Sequence, residues 1–487
     1  MKNTFLRIGC LFFAIVMMLS TFAACKKKEE QQDTQGTQGE DTTVAVETPP
    51  VPDKDWGGDV FTVLTVKHYV EPNFEVVGMS KGNNVSVAAY QRNMWIGEKY
   101  GVDIQEYGDS NVDYLELLEK TQENGDDSFD LVFLYRDNMA SAIQMGLMKD
   151  LTTVEYLTLT NDWYNDNTIE SMKISDRLFH MVSDFSLIDK ARTNVLFLNR
   201  DLATAHEIPN ILEMVKNGSW TIDKMYEYQK EIAYDTSSDG EMGLEDRWGL
   251  MCGGVEACST FWTALGNEIV TVNDNETFTV NLTTTHSVES IEKVRKIFDA
   301  SLTFSENKFG STSDAFDVFV GKRGLFLSET LSTIEKISPV AEFSFTALPY
   351  PKFDEAQTQY YTTNDNTYCA TFGIPVSAGD YSYSGFMVEV LSWKSHTTTF
   401  PEYYNKVCKV QNSYDEECAA MLDLVFEGLV FDFGLLNGQN IKGVRGMLEK
   451  SILKNASITS EYGEKADGVE SAIQLIFDSI KDLGTGE

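Results

Sequence analysis

From Val60 onward, short runs of β-branched and aromatic residues alternate with stretches whose apolar positions recur with a helical period. Val60-Phe61-Thr62-Val63-Leu64-Thr65-Val66, Val102-Asp103-Ile104 and Phe129-Asp130-Leu131-Val132-Phe133-Leu134 read as strands, with helical stretches around 85–100 and 114–122 between them. That order predicts a parallel α/β sheet covered on both faces. The pattern restarts at Asn194-Val195-Leu196-Phe197-Leu198. Thr221 then stands where it can cap a helix whose positions Ile222, Met225, Tyr226, Ile232 and Ala233 keep the 3.6-residue period. Val288, Ile291, Val294, Ile297 and Phe298 mark a later helix, and Val469, Ile473, Ile476, Phe477 and Ile480 another near the C-terminus. Strand-like runs at 325–327, 343–348 and 369–374 lie between these two, so the pattern predicts two α/β lobes rather than one.

The N-terminus reads differently. Lys2 and Arg7 precede an apolar run from Leu11 to Phe22, too short for a durable membrane span. Phe22-Ala23-Ala24-Cys25 closes it and resembles the lipobox of bacterial lipoproteins, which implies a signal peptide over 1–24 and an acylated Cys25. An ordinary cleavable signal is the alternative, and either one places the mature protein outside the cytoplasm. From Lys26 to Asp55, Glu, Gln, Asp, Thr, Gly and Pro dominate without periodicity. Residues 25–55 are therefore expected to form a flexible tether.

A formal net charge of -36 argues against nucleic acid as a partner, since phosphate binding needs a concentrated basic face. Beyond Cys25 there are five cysteines, Cys252, Cys258, Cys369, Cys408 and Cys418. The odd number leaves at least one free, and none has zinc-like spacing. No nucleophile elbow, zinc-ligand helix, phosphate loop or dinucleotide fingerprint is present, and the histidines show no metal spacing.

Several segments then become specific as an ordered set: Met145-Gly146-Leu147-Met148-Lys149-Asp150-Leu151, Thr193 to Leu202, and Gly218-Ser219-Trp220-Thr221-Ile222-Asp223-Lys224-Met225. Phe319 to Leu327, Ala347-Leu348-Pro349-Tyr350-Pro351 and Phe372-Gly373-Ile374-Pro375 follow. Together they resemble the extracellular solute-binding proteins of ABC importers, closest to the carbohydrate-type family. The resemblance implies a two-lobed periplasmic-binding-protein-like α/β fold with a hinge and an interlobe ligand cleft. Lobe 1 would hold 56–192 and 346–398, lobe 2 would hold 193–345 and 399–487, and crossings near Thr193 and Phe345 would form the hinge. It further implies a lipid-anchored monomer at the extracellular face of the membrane that hands an oligosaccharide or other small solute to ABC permease subunits. A peptide solute on the same fold and a secreted glycosidase are the alternatives, the latter because an acidic chain offers many carboxylate pairs.

Sugar sites need flat apolar faces and planar polar groups, and strand ends of doubly wound sheets open into the cleft. The candidates are His68 and Tyr69 after the first strand, Tyr135, Arg136 and Asp137 after the third, and Asp184 before the hinge. Asp365 and Asn366, with Tyr368 beyond them, precede a later strand. Trp262, Glu329 and Thr330 come from the second lobe. Trp220 and Trp248 are assigned to packing. Separately, Asp235, Ser237, Asp239, Glu241 and Asp246, with Gly240 at the sixth position, match the spacing of an EF-hand calcium loop and suggest a structural Ca2+. Ser237 and Asp246 are weaker ligands than the usual ones, and a plain polar surface loop is the alternative.

Overall fold

The computed structural model describes residues 48–66, 76–109, 112–273, 277–305, 312–365, 368–410, 416–441 and 443–482. Signal peptide, Cys25 and most of the tether lie outside the described residues. Three strands, β1 (Asp59–Leu64), β2 (Val102–Tyr107) and β3 (Leu131–Tyr135), open the chain, each followed by a helix. Those helices start and stop where local chemistry directs. Asn83 accepts from the Ser86 N–H at the head of helix Asn84–Tyr100, which ends at Gly101 with φ 64. Asp113 caps helix Tyr114–Asn124, which ends at Gly125, also at φ 64.

The second lobe is built on β4 (Asn194–Asn199), β5 (Trp248–Cys252), a hairpin of β6 (Val270–Asn273) and β7 (Thr277–Val280), then β8 (Thr303–Ser305), β9 (Gly324–Thr330) and β10 (Phe345–Leu348). β11 (Ala370–Gly373) returns to the first sheet. The sheet orders are β11-β3-β1-β2 and β10-β4-β9-β5-β8. Neither sheet is purely parallel, contrary to the pattern reading. β11 runs antiparallel to β3, and β4 runs antiparallel to both β9 and β10. Apolar runs do not encode strand direction, so only the pairing reveals it.

Every residue of β4 and of β5 is buried, as expected for strands covered on both faces. Trp220 and Trp248 are core residues, with their indole N–H groups donated to Pro349 O (3.2 Å) and Gly243 O (2.9 Å). Gly249 allows the close approach of helix Ile222–Ile232, because a Cβ there would lie 2.6 Å from the Gln229 Cβ. The head of that helix departs from expectation. The Thr221 side chain makes no cap bond, and Thr221 instead bridges Lys352, with the Ile222 N–H donated to Lys352 O at 2.9 Å.

Two expected boundaries move. β10 pairs with β4, so the second crossing is not near Phe345 but later, where Asn364 bridges Thr193. The C-terminal region expected in lobe 2 touches both lobes. Helix Thr399–Val410 packs on helix Asn84–Tyr100, while in helix Ala466–Asp482 Phe477 meets Phe278 of β7 and Ile480 O accepts from Arg177 at 2.7 Å. Cys252, Cys258, Cys369 and Cys418 are buried thiols that form no disulfide among the described residues. Among the described residues no helix is long and apolar enough to cross a membrane.

Asp130, at the foot of β3, accepts the Thr62 N–H at 2.8 Å, and burial pushes its carboxyl up to about 6 despite that bond. A raised carboxyl pKa means stability that is fully present below the unfolded value and lost as pH rises through the folded one. Asp130→Asn keeps an acceptor for Thr62 and removes the titration. The variant should therefore be more stable than the wild type at pH 7 by roughly 1–2 kcal/mol and equal to it near pH 4. Thermal midpoints of both proteins from pH 4 to 8 check this, and parallel curves would sink it.

Candidate ligand site at the lobe crossing

The lobes are joined where chain segments run side by side. Helix Ile188–Ala191 leads through Arg192 and Thr193 into β4, and the return crossing runs through Thr362–Asp365 towards β11. Thr193 bridges Asn364, the Asp365 N–H donates to Arg192 O at 2.9 Å, and the Asn194 N–H donates to Thr363 O at 3.0 Å. The Asn364 amide locks the pair by donating to Asp189 O at 2.5 Å. A third segment joins beside them, since Thr362 N–H donates to Gly428 O at 2.9 Å and Val430 N–H to Thr362 O at 3.0 Å.

Polar and aromatic groups from both lobes gather on this crossing. Arg192 Nη1 lies 3.0 Å from Asp365 Oδ2, with the two side chains only 7% and 12% exposed. The same guanidinium sits over the Tyr368 ring at 5.4 Å, and the Tyr368 N–H donates to Asp365 Oδ1 at 3.3 Å. Tyr135, the last residue of β3, meets Tyr368 edge to face at 6.2 Å and 81°. Burial pushes the Tyr135 hydroxyl up to about 12, with Arg192 opposing. From the other lobe, Glu329 stands near the end of β9. Burial pushes its carboxyl up, the Thr330 N–H works against that, and the nearby Asp365 charge adds to the rise. The Thr330 hydroxyl pairs with that of Ser332 at 3.1 Å. Arg136 is buried beneath, over the Phe431 ring at 5.6 Å, and burial lowers its pKa. Asp137 follows in the first turn of helix Arg136–Gln144, and its Oδ1 is buried without a hydrogen-bond partner among the described residues.

Thus Tyr135, Arg136, Asp365, Glu329 and Thr330 share one region. His68, Tyr69 and Asn366 lie outside the described residues. Two candidates belong elsewhere. Trp262 is 0% exposed in the core of the second lobe and offers no face to a ligand. Asp184 is 6% exposed and committed to His396 Nδ1 at 2.6 Å and Lys190 Nζ at 3.6 Å. Arg192 is the residue the sequence reading missed. It stands at the beginning of β4, whereas cleft residues were sought at strand ends; because β4 runs antiparallel to β9, its beginning lies beside the end of β9.

The loop Asp235–Asp246 folds around its own carboxylates. Asp235 accepts from Ser238 N (2.7 Å) and Gly240 N (2.9 Å), and the Gly240 bond is the leading cause of its lowered pKa. Buried Asp246 accepts from Thr236 N, Ser237 N and Gly243 N at 2.8, 3.1 and 2.7 Å. Among the described residues no group of three His, Cys, Asp or Glu side chains is gathered closely enough to hold a metal ion.

Two sheets joined by a paired crossing make up a two-lobed α/β fold like that of solved substrate-binding proteins of ABC importers. Solved structures of such proteins share it at low identity. The sugar-binding protein MalE of Xanthomonas citri aligns with TM-score 0.59 and 12% identity over 85% of this chain and 97% of its own. A cyclo/maltodextrin-binding protein complexed with maltotetraose gives 0.56 and 12% over 90% and 98%. An ABC substrate-binding protein of Listeria monocytogenes in complex with cycloalternan gives 0.51 and 12% over 88% and 100%. No family model matches the chain, and no curated protein sequence matches it.

Breaking a buried ion pair from one side leaves the other charge uncompensated. Asp365→Ala should therefore destabilise the protein by about 2–3 kcal/mol, read as a lower urea midpoint, more than the charge-removing but isosteric Asp365→Asn. An unchanged midpoint in both would show that the pair does not hold the crossing.

Proposed function

We propose that this chain is an extracellular solute-binding protein that captures an oligosaccharide between its lobes and delivers it to an ABC permease without chemical change. The observation that carries the reading is the crossing itself: a half-exposed tyrosine ring beside planar carboxylate and guanidinium groups, supplied by strand termini of both lobes. A sugar offers an apolar ring face and hydroxyls that such groups complement. The fold shared with maltodextrin-binding and cycloalternan-binding proteins supports the same solute class. Closure is a population shift, so the ligand must bind the closed arrangement better than the open one. Within this reading the protein acts as a monomer, held at the membrane by lipid on Cys25 and reaching solute on the tether 25–55.

Ligand in excess stabilises by mass action, by about 2–3 kcal/mol at a hundredfold excess over Kd. Maltotetraose or a related oligosaccharide should raise the thermal midpoint of the purified chain by a few degrees, with no reducing ends appearing over time. A rise with peptides alone would replace the solute class, and new reducing ends would make the protein a glycosidase.

For the loop Asp235–Asp246 the proposal is a weak structural calcium site formed by Asp235, Ser237, Asp239, Glu241 and Asp246. Backbone amides already occupy the carboxylates and would compete with the ion. Millimolar calcium should raise the thermal midpoint relative to chelator, and equal midpoints would remove calcium from the account.

A further inference from the structure

We infer that Tyr368 is the ring on which a neutral pyranose unit of the solute stacks, and that Arg192 is the positioning residue linking that ring to the hinge. This rests on the oligosaccharide reading above and names the surface and sugar class within it.

Tyr368 is unusual for its place in the chain. Thr362, Thr363, Asn364, Cys369 and Ala370 of the return crossing are at most 1% exposed and the Asp365 side chain is 12% exposed, whereas Tyr368 is 48% exposed. A large half-exposed residue on a largely buried segment offers apolar surface for a sugar ring to cover. The ring is also held. Tyr135 buttresses its edge, Arg192 lies over it, and its backbone N–H is fixed to Asp365. A ring whose orientation is set in advance loses little entropy when a ligand stacks on it.

The surrounding charges select the sugar class. The Arg192 guanidinium, which lies over the Tyr368 ring, is paired with Asp365 at 3.0 Å. A guanidinium whose charge is met by a carboxylate at 3.0 Å offers hydrogen-bonding groups to sugar hydroxyls without a net positive charge to hold an anionic sugar such as a uronate.

The mounting of the ring ties binding to closure. Arg192 belongs to the first crossing, while Asp365 and Tyr368 belong to the second, and lobe rotation must be absorbed where these segments pair. A sugar stacked on Tyr368 therefore bears on the same guanidinium that joins the crossings.

Calorimetric titration of the full chain with maltotetraose, cellotetraose and tetragalacturonate tests this. Expected are binding of a neutral tetrasaccharide, near-wild-type affinity in Tyr368→Phe, and a loss of about tenfold to a hundredfold in Tyr368→Ala. Arg192→Lys should weaken binding several-fold, and the double variant Arg192→Lys/Tyr368→Ala should bind no more weakly than Tyr368→Ala alone. Additive losses would mean that Arg192 acts independently of the Tyr368 ring, which would overturn its role as positioning residue. Circular dichroism confirms the fold of each variant, and Tyr368→Phe alone decides whether the hydroxyl rather than the ring binds. If the wild type binds a neutral sugar and Tyr368→Ala binds it equally well, this inference falls and the proposed function stands. If only tetragalacturonate binds, the neutral class falls. If no saccharide binds, the proposed function falls first.

Discussion

The pairing of Arg192–Thr193 with Asn364–Asp365 is the constraint on which the rest of this structure depends. Two lobes joined by few segments keep a defined relation only if those segments are fixed to one another. Here backbone hydrogen bonds, the Asn364 amide and a buried ion pair do that together. The ion pair gains from low dielectric surroundings but loses hydration, so its larger effect is to fix register rather than to add net stability. Tyr368 takes its place from it, through its N–H donated to Asp365 and the Arg192 guanidinium over its ring.

Strand direction converts that pairing into a site. Ala370 of β11 lies opposite Tyr135 of β3 in antiparallel register, so the residues before β11 emerge beside the residue that ends β3. In the second sheet Asn194 of the antiparallel β4 lies opposite Thr330 of β9, so Arg192 and Thr193, which lead into β4, emerge at the end of β9. Two strand reversals thus bring together termini that a purely parallel sheet would have kept on opposite sides.

Behind the crossing lies a second charged cluster with a different role. Burial works against the Lys190 charge, but Asp189 and Asp184 outweigh it and hold its pKa above the ordinary value. His396 is raised chiefly by its hydrogen bond to Asp184. In sequence, Asp184 beside Phe185 has the same acid-aromatic signature as the residues that do reach the crossing. Its partner His396 lies 212 positions away, which is why local pattern could not separate a structural carboxylate from a cleft one. Trp262 failed for a related reason: an aromatic near a glycine-rich strand end looks the same whether its helix turns it outward or, as here, into the core.

The sequence by itself determined the alternation of strands and helices, the core roles of Trp220 and Trp248 and the presence of two lobes. Each of these rests on local periodicity or the size limit of a single core. It also placed Tyr135, Glu329, Thr330 and Asp365 at strand termini. Only the tertiary structure decided which termini meet, where the second crossing lies and that Arg192 stands on it. Those outcomes depend on antiparallel pairing between segments far apart in the chain, and a strand carries the same side-chain alternation in either direction.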